Sequence, residues 1–255
     1  MILTRLGNKR KLSKSIYSYF PLHQMRVELF FGAGGLFFNV PKPKYNILND
    51  LDDDVTNLFL VVKEQKQALY RAIELLPISS SLVKHWSQKK ESDPLYKAIR
   101  FLFLSNFTYL GKGNTLRLGL DNAKANLLKQ IEPTFEALKD VKITNYDFRE
   151  VLSKISYSKT VLNKEKVFCY LDPVYLDTNH YYKVPNWTKT DSLDCLNIMH
   201  DSGIKCAMSE FAHPFILQEA KKRGFNIIPL RERQNIKNRK IEVLITNYQI
   251  QPTLF

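Results

Sequence analysis

Cysteine is scarce in this chain. Cys169, Cys195 and Cys206 are the only three in 255 residues, an odd number with no Cys-x-x-Cys pair, which argues against a disulfide framework. The five histidines, His23, His85, His180, His200 and His213, are scattered without ligand spacing, so no metal site is expected. Long apolar runs are missing too. Leu58 to Val62 and Phe101 to Leu104 fall far short of the ~20 residues that a membrane-spanning helix needs. The N-terminus carries charge without an apolar h-region, so no signal peptide is expected and the cytoplasm is the expected compartment. Acidic residues are in deficit, 25 against 38 Lys and Arg, a net charge of +13. That balance favours an anionic partner.

What is present suffices for a packed core: 44% hydrophobic residues and 12% aromatics argue against disorder. The positive charge gathers at two places. Arg5, Lys9, Arg10, Lys11 and Lys14 crowd the N-terminus, and Lys221, Lys222, Arg223, Arg231, Arg233, Lys237, Arg239 and Lys240 form a second cluster. Two basic ends flanking a fold could converge into one face that tracks phosphates.

Strand-like runs recur along the chain at Val27 to Phe31, Tyr45 to Asn49, Val141 to Asn145, Val167 to Leu171, Ile204 to Ser209, Asn226 to Leu230 and Ile241 to Thr246. Between them lie helical patterns. Val55, Leu58, Phe59, Val62, Leu69 and Ile73 share one side of a helix from Val55 to about Leu76. A second helix runs from Pro214 to Arg223 and ends at Gly224, a suitable C′ glycine. Strands alternating with helices predict an α/β fold with a doubly wound, mostly parallel sheet. The last two strands are joined by a basic loop, Arg231 to Lys240, too short for a helical crossover, so they are expected to pair antiparallel. Residues 63–139 lack the alternation and read as a helical insertion holding the basic loop from Gly111 to Gly119. Residues 1–62 and 140–255 then form the main domain.

The most informative stretch is Val167 to Tyr175. A short apolar run, read as a buried strand, ends in Asp172-Pro173-Val174-Tyr175. In open α/β sheets, ligands bind at the carboxyl edge of the strands. A carboxylate, a rigid turn and an aromatic ring at that edge suit a planar amine such as a flipped nucleobase. Asp and Pro are also ordinary turn formers, so the four residues alone leave both readings open.

A second constellation points to a cofactor. Phe31-Gly32-Ala33-Gly34-Gly35 follows the first strand and lets a ligand approach the backbone closely. Asp50 ends the next strand, about twenty residues on, where an acid can accept both ribose hydroxyls. The alternative for Asp50 is a helix N-cap, since Asp52, Asp53 and Asp54 follow it. The glycine spacing does not favour a pyrophosphate, so S-adenosylmethionine fits at least as well as a dinucleotide. Asp147 and Phe148, after the third strand, could hydrogen-bond and sandwich an adenine ring, or serve as loop and core.

Taken in order, these residues resemble the Dam-like DNA adenine methyltransferases, the alpha group of amino-methyltransferases, through most of the chain. Leu6-Gly7-Asn8-Lys9 is similar to the family's N-terminal cofactor motif, Glu28 to Gly35 to its glycine motif, and Asp50 to its ribose-binding acid. Asp172-Pro173-Val174-Tyr175 resembles the catalytic Asp-Pro-Pro-Tyr, with Val174 in place of the second proline, and Lys240 to Tyr248 resembles the last strand. The resemblance implies a Rossmann-like fold with an antiparallel final strand and an insertion that recognises the target. It implies methyl transfer from S-adenosylmethionine to adenine N6 in double-stranded DNA. Asp172, Pro173 and Tyr175 are then the catalytic residues. Leu6, Lys9, Phe31, Gly32, Gly34, Asp50, Asp147, Phe148 and Asp172 would bind cofactor, and Arg5, Lys112, Asn114 and Arg117 would contact DNA. A bacterial or phage setting follows, with a cognate restriction endonuclease as a potential partner. The loop from Gly111 to Gly119 does not match the loop of members that read GATC. Cytosine N4, RNA or protein amides remain alternative substrates, though the first group usually carries Ser and the last Asn where Asp172 stands. A non-catalytic module that binds cofactor or DNA is the other alternative.

Overall fold

The computed structural model describes residues 2–3, 7–119, 122–157, 163–178, 185–235 and 238–250. They form two compact units. The first comprises Met1–Arg10, Gly32–Asn39 and Asp52–Asn145; the second comprises Lys11–Phe31, Val40–Leu51 and Tyr146–Phe255. The helical unit therefore starts ten residues or so before the expected boundary and also takes in the glycine turn and the N-terminal segment.

The earlier start has a packing cause. Helix α2 (Asp53–Glu64) buries Val55, Leu58, Phe59 and Val62, the spacing of one helix face, and that face packs on α5 (Pro94–Phe107) and α6 (Ala123–Leu138) of its own unit. Burying each such side chain contributes about 1.5–3 kcal/mol, so α2 goes with the helices it covers. The single helix expected from Val55 to Leu76 is two. Gln65, at φ −130° and ψ 33°, breaks it, and α3 runs Lys66–Leu75. Side chains cap the starts: Asp52 accepts the Asp54 N–H of α2 at 3.1 Å, Ser79 the Leu82 N–H of α4 (Ser80–Gln88), and Asp93 the Tyr96 N–H of α5.

The strands are β1 (Met25–Glu28), β2 (Tyr45–Asn49), β3 (Val141–Thr144), β4 (Val167–Leu171), β5 (Lys205–Phe211), β6 (Asn226–Asn235) and β7 (Asn238–Thr246). β3 lies in the first unit; the strands of the second form a mixed sheet ordered β2-β1-β4-β5-β7-β6. In the second unit β1 pairs parallel with β2 and β4, and β4 parallel with β5. The last strand, β7, is antiparallel to both β5 and β6, as expected. Most of the stretch expected as a basic loop is strand instead: Arg231–Asn235 continue β6 and Asn238–Lys240 begin β7, paired out to Asn235↔Asn238. Helices α1 (Ser13–Tyr17), α7 (Phe148–Val151), α8 (Lys189–Asp201) and α9 (Pro214–Lys222) complete this unit. Gly224, at φ +71°, ends α9, with Gly224 N–H on the Lys221 carbonyl and Phe225 N–H on Ala220, the Schellman pattern.

The two faces of this sheet differ in chemistry. One carries Met25, Val27, Leu29, Val167, Cys169, Leu171, Cys206, Met208, Val243 and Ile245, an apolar core closed by Leu196, Met199 and Ile216. The strand period of two sends Arg26, Glu28, Tyr170, Ser209, Glu242 and Thr246 to the opposite face, where all six are buried. Polar groups are buried at a cost unless they find partners, and this face leads directly to the site.

Candidate active site

The strand order reverses between β1 and β4, the switch point at which open α/β sheets place their ligands. Register fixes what stands there. Glu28 pairs with Leu48 on one side and Tyr170 on the other. Asp50 and Asp172 each lie two residues past that row, one on either side of β1. At a strand spacing of about 4.8 Å, the two positions are about 10 Å apart. The helix cap after β2 is Asp52, so the capping role open to Asp50 is not the one it fills.

Beyond β4, Asp172, Val174 and Tyr175 are half-buried and Pro173 is buried. Tyr175 Oη donates to Glu242 Oε1 at 2.8 Å and lies 3.4 Å from Asp172 Oδ1. Its ring meets Phe211 edge-on, with centroids 4.6 Å apart at 76°. Both N–H and Oγ of Thr178 bond the Tyr175 carbonyl, closing the turn. Burial, with Asp172 and Glu242 adding negative charge, pushes the Tyr175 hydroxyl well above the ordinary phenol range, so it stays a neutral donor. Beneath the motif, Tyr170 Oη and Ser209 Oγ share a hydrogen bond of 2.7 Å. Arg26 Nε is 3.2 Å from Glu28 Oε1. Burial, opposed by Arg26 and reinforced by Asp172, raises the Glu28 carboxyl to about 7.

Asn49, the last residue of β2, ties the sheet edge together. Its Nδ2 donates to the Leu29 and Tyr146 carbonyls at 3.1 and 3.0 Å, and its Oδ1 accepts the Tyr146 N–H at 3.0 Å. Asp147 accepts the Arg149 N–H at the start of α7 and pairs with the Arg149 guanidinium at 3.1 Å. Arg149 also bonds Asp191 and Asp194 at 2.5 and 2.7 Å; burial works against its charge, but these bonds raise it above the ordinary arginine range. Phe148 is buried between Phe30 and Trp187, with centroids 5.1 and 5.7 Å away, under the Arg149 guanidinium at 4.4 Å. Phe31 is buried, and its N–H bonds the Asn49 carbonyl at 2.8 Å.

The first unit holds the other candidates. Gly32 takes φ +54°, and a Cβ there would meet nothing within 4 Å; Gly34 takes φ +69°. At Gly32 the turn thus leaves open space over a bare backbone, which suits a close-lying cofactor. Gly35 is glycine for packing: a Cβ would lie 2.7 Å from the Lys9 nitrogen. Lys9 is buried, and its Nζ donates to the Gly7 carbonyl at 3.2 Å. Lys112, Asn114 and Arg117 are exposed on a loop pinned by Thr108, which bridges to Leu116 and accepts the Gly113 N–H at 2.8 Å. Arg5 and Leu6 lie outside the described residues.

A family model for the D12 class N6 adenine-specific DNA methyltransferases matches residues 6–243. The chain belongs to that family. DNA adenine methylase of Escherichia coli K12 is 31% identical over 111 residues, covering 41% of this chain and 40% of that protein. DNA N-6-adenine-methyltransferase of Escherichia phage P1 is 22% identical over 253 residues, 90% of this chain and 32% of that one. The chain thus spans well under half the length of these curated relatives. The N-terminal domain of human METTL16, solved with SAH, is 9% identical with a TM-score of 0.36, over 94% of this chain and 67% of that one. At that score the superposition adds nothing to the assignment.

Arg26, Ser209, Glu210 and Phe211 were given no site role by the sequence, and Glu28 and Glu242 stood only inside matched motifs with no role of their own. The available signal was charge inside apolar strand runs: Arg26-Val27-Glu28, Ser209-Glu210-Phe211 and Ile241-Glu242-Val243.

Proposed function

We propose that this protein transfers a methyl group from S-adenosylmethionine to the exocyclic N6 of an adenine flipped out of double-stranded DNA. The observation that carries this reading is Asp172 at the carboxyl edge beside the switch point, with the Tyr175 hydroxyl 3.4 Å away, in a chain of an adenine-specific family. Bound S-adenosylmethionine supplies a sulfonium methyl, an electrophile that needs no metal.

The chain's own residues then have defined tasks. Adenine's amine is a poor nucleophile because its lone pair is delocalised into the ring. The Asp172 carboxylate and the Pro173 carbonyl accept its two hydrogens, which draws the nitrogen toward sp³ and frees the lone pair. The same acceptors stabilise the positive charge that develops on nitrogen. Tyr175 offers a ring for the base to stack on, about 1–3 kcal/mol set against a flipping cost of a few kcal/mol. We assign Asp50 to the ribose hydroxyls by its likeness to the family's ribose-binding acid; in the first unit, the bare backbone at Gly32 suits a close-lying cofactor. Exposed Lys112, Asn114 and Arg117 serve phosphate or base contacts.

Tritiated methyl transfer to mixed-sequence duplex DNA, followed by nucleoside chromatography, tests the reading. Wild type should yield N6-methyladenine, and Asp172→Ala should lose at least 10²–10³ in rate while still binding cofactor. Methylcytosine as the product, or full activity in Asp172→Ala, would refute it.

A further inference from the structure

Two buried carboxylates outside the catalytic motif grip the segment that carries Tyr175. Glu242, on β7, is fully buried and accepts the Tyr175 hydroxyl at 2.8 Å. Glu210, on β5, accepts the Leu176 N–H at 3.4 Å and the Phe211 N–H at 2.7 Å. Both strands are neighbours in the sheet, with Phe211 opposite Glu242, so the edge-on Phe211 ring and the Glu242 carboxylate reach Tyr175 from one rigid ladder. Val174 stands where the resembled motif has a second proline, so the backbone before the tyrosine lacks one locked φ.

A hydroxyl has one hydrogen to give. At 2.8 Å Glu242 takes it, and Asp172, at 3.4 Å, is at the outer limit for sharing it. Without Glu242 the hydroxyl would turn to Asp172, the carboxylate that the reaction uses as acceptor. We propose that Glu242 is a positioning residue: it holds the Tyr175 ring in place for the extruded base and directs the tyrosine hydroxyl away from Asp172. This deepens the methyltransferase reading above and rests on it.

The test is a double-mutant cycle with Glu242→Met and Tyr175→Phe. Methionine matches glutamate in shape, and replacing buried charge with apolar groups of similar volume is often tolerated. Tyr175→Phe keeps the ring and its packing, so it reads the same bond even if the Glu242 variant folds poorly. Each single variant should lower kcat about tenfold with KM for DNA little changed, and the double variant should be no worse than either. The loss should shrink on duplexes with a mismatched target adenine, which extrudes more easily; a merely structural defect would not respond to the mismatch. Glu242→Gln, which keeps an acceptor, should retain most of the activity. Additive losses, or full activity in Glu242→Met, would overturn the proposal while leaving the methyltransferase reading intact. A wild type that makes no N6-methyladenine would overturn both.

Discussion

Glu28 offers a quantitative test of the polar sheet face. It is 2% exposed, lies 3.2 Å from Arg26, and burial lifts its carboxyl from 4.5 to about 7. The native state therefore keeps, between pH 4.5 and 7, a proton that the unfolded chain has released. Its contribution to the unfolding free energy therefore falls as pH rises through that window. The stabilisation is fully present below pH 4.5 and lost above about 7. At 1.36 kcal/mol per pH unit, the gap from 4.5 to 7 amounts to about 3 kcal/mol. Glu28→Gln cannot titrate there, yet its amide oxygen still faces Arg26. Urea unfolding of both proteins from pH 4.5 to 8.5 should show the wild type's advantage over Glu28→Gln shrinking by about 3 kcal/mol. A pH-independent difference would show that the carboxylate is solvated or fully compensated by Arg26, and the account of this face would fail.

Asp50→Ala should weaken S-adenosylmethionine binding at least tenfold by calorimetry, about 1.4 kcal/mol, and unchanged affinity would remove Asp50 from the cofactor's contacts. Duplex DNA binding should weaken steeply with salt, and Lys112→Ala or Arg117→Ala should each lower the log–log slope by about 0.9 if that side chain meets a phosphate. A flat plot, or slopes unmoved by either change, would take the exposed loop out of the interface.

Much of the architecture was legible in the residues themselves. Strands β2 and β4 run over Tyr45–Asn49 and Val167–Leu171 as the apolar runs predict, because β-rich runs bounded by turn formers have few alternatives. Gly224 stops α9, since only a glycine-like φ of +71° closes that end without strain. The reversed final strand followed from a connection too short for a crossover, and the Asp172 motif was readable because its chemistry is local in sequence. Other features depended on partners distant in the chain. The early start of the helical unit comes from where α2 finds its apolar partners, which periodicity alone does not name. The basic residues from 231 looked like loop because charge masks strand propensity, whereas an antiparallel neighbour extends the ladder through them. Glu242 stands 67 residues from Tyr175 and Glu210 34 from Leu176. Local order determines which residues carry the chemistry; the sheet register, by bringing β5 and β7 beneath the motif, decides which buried groups hold them in place.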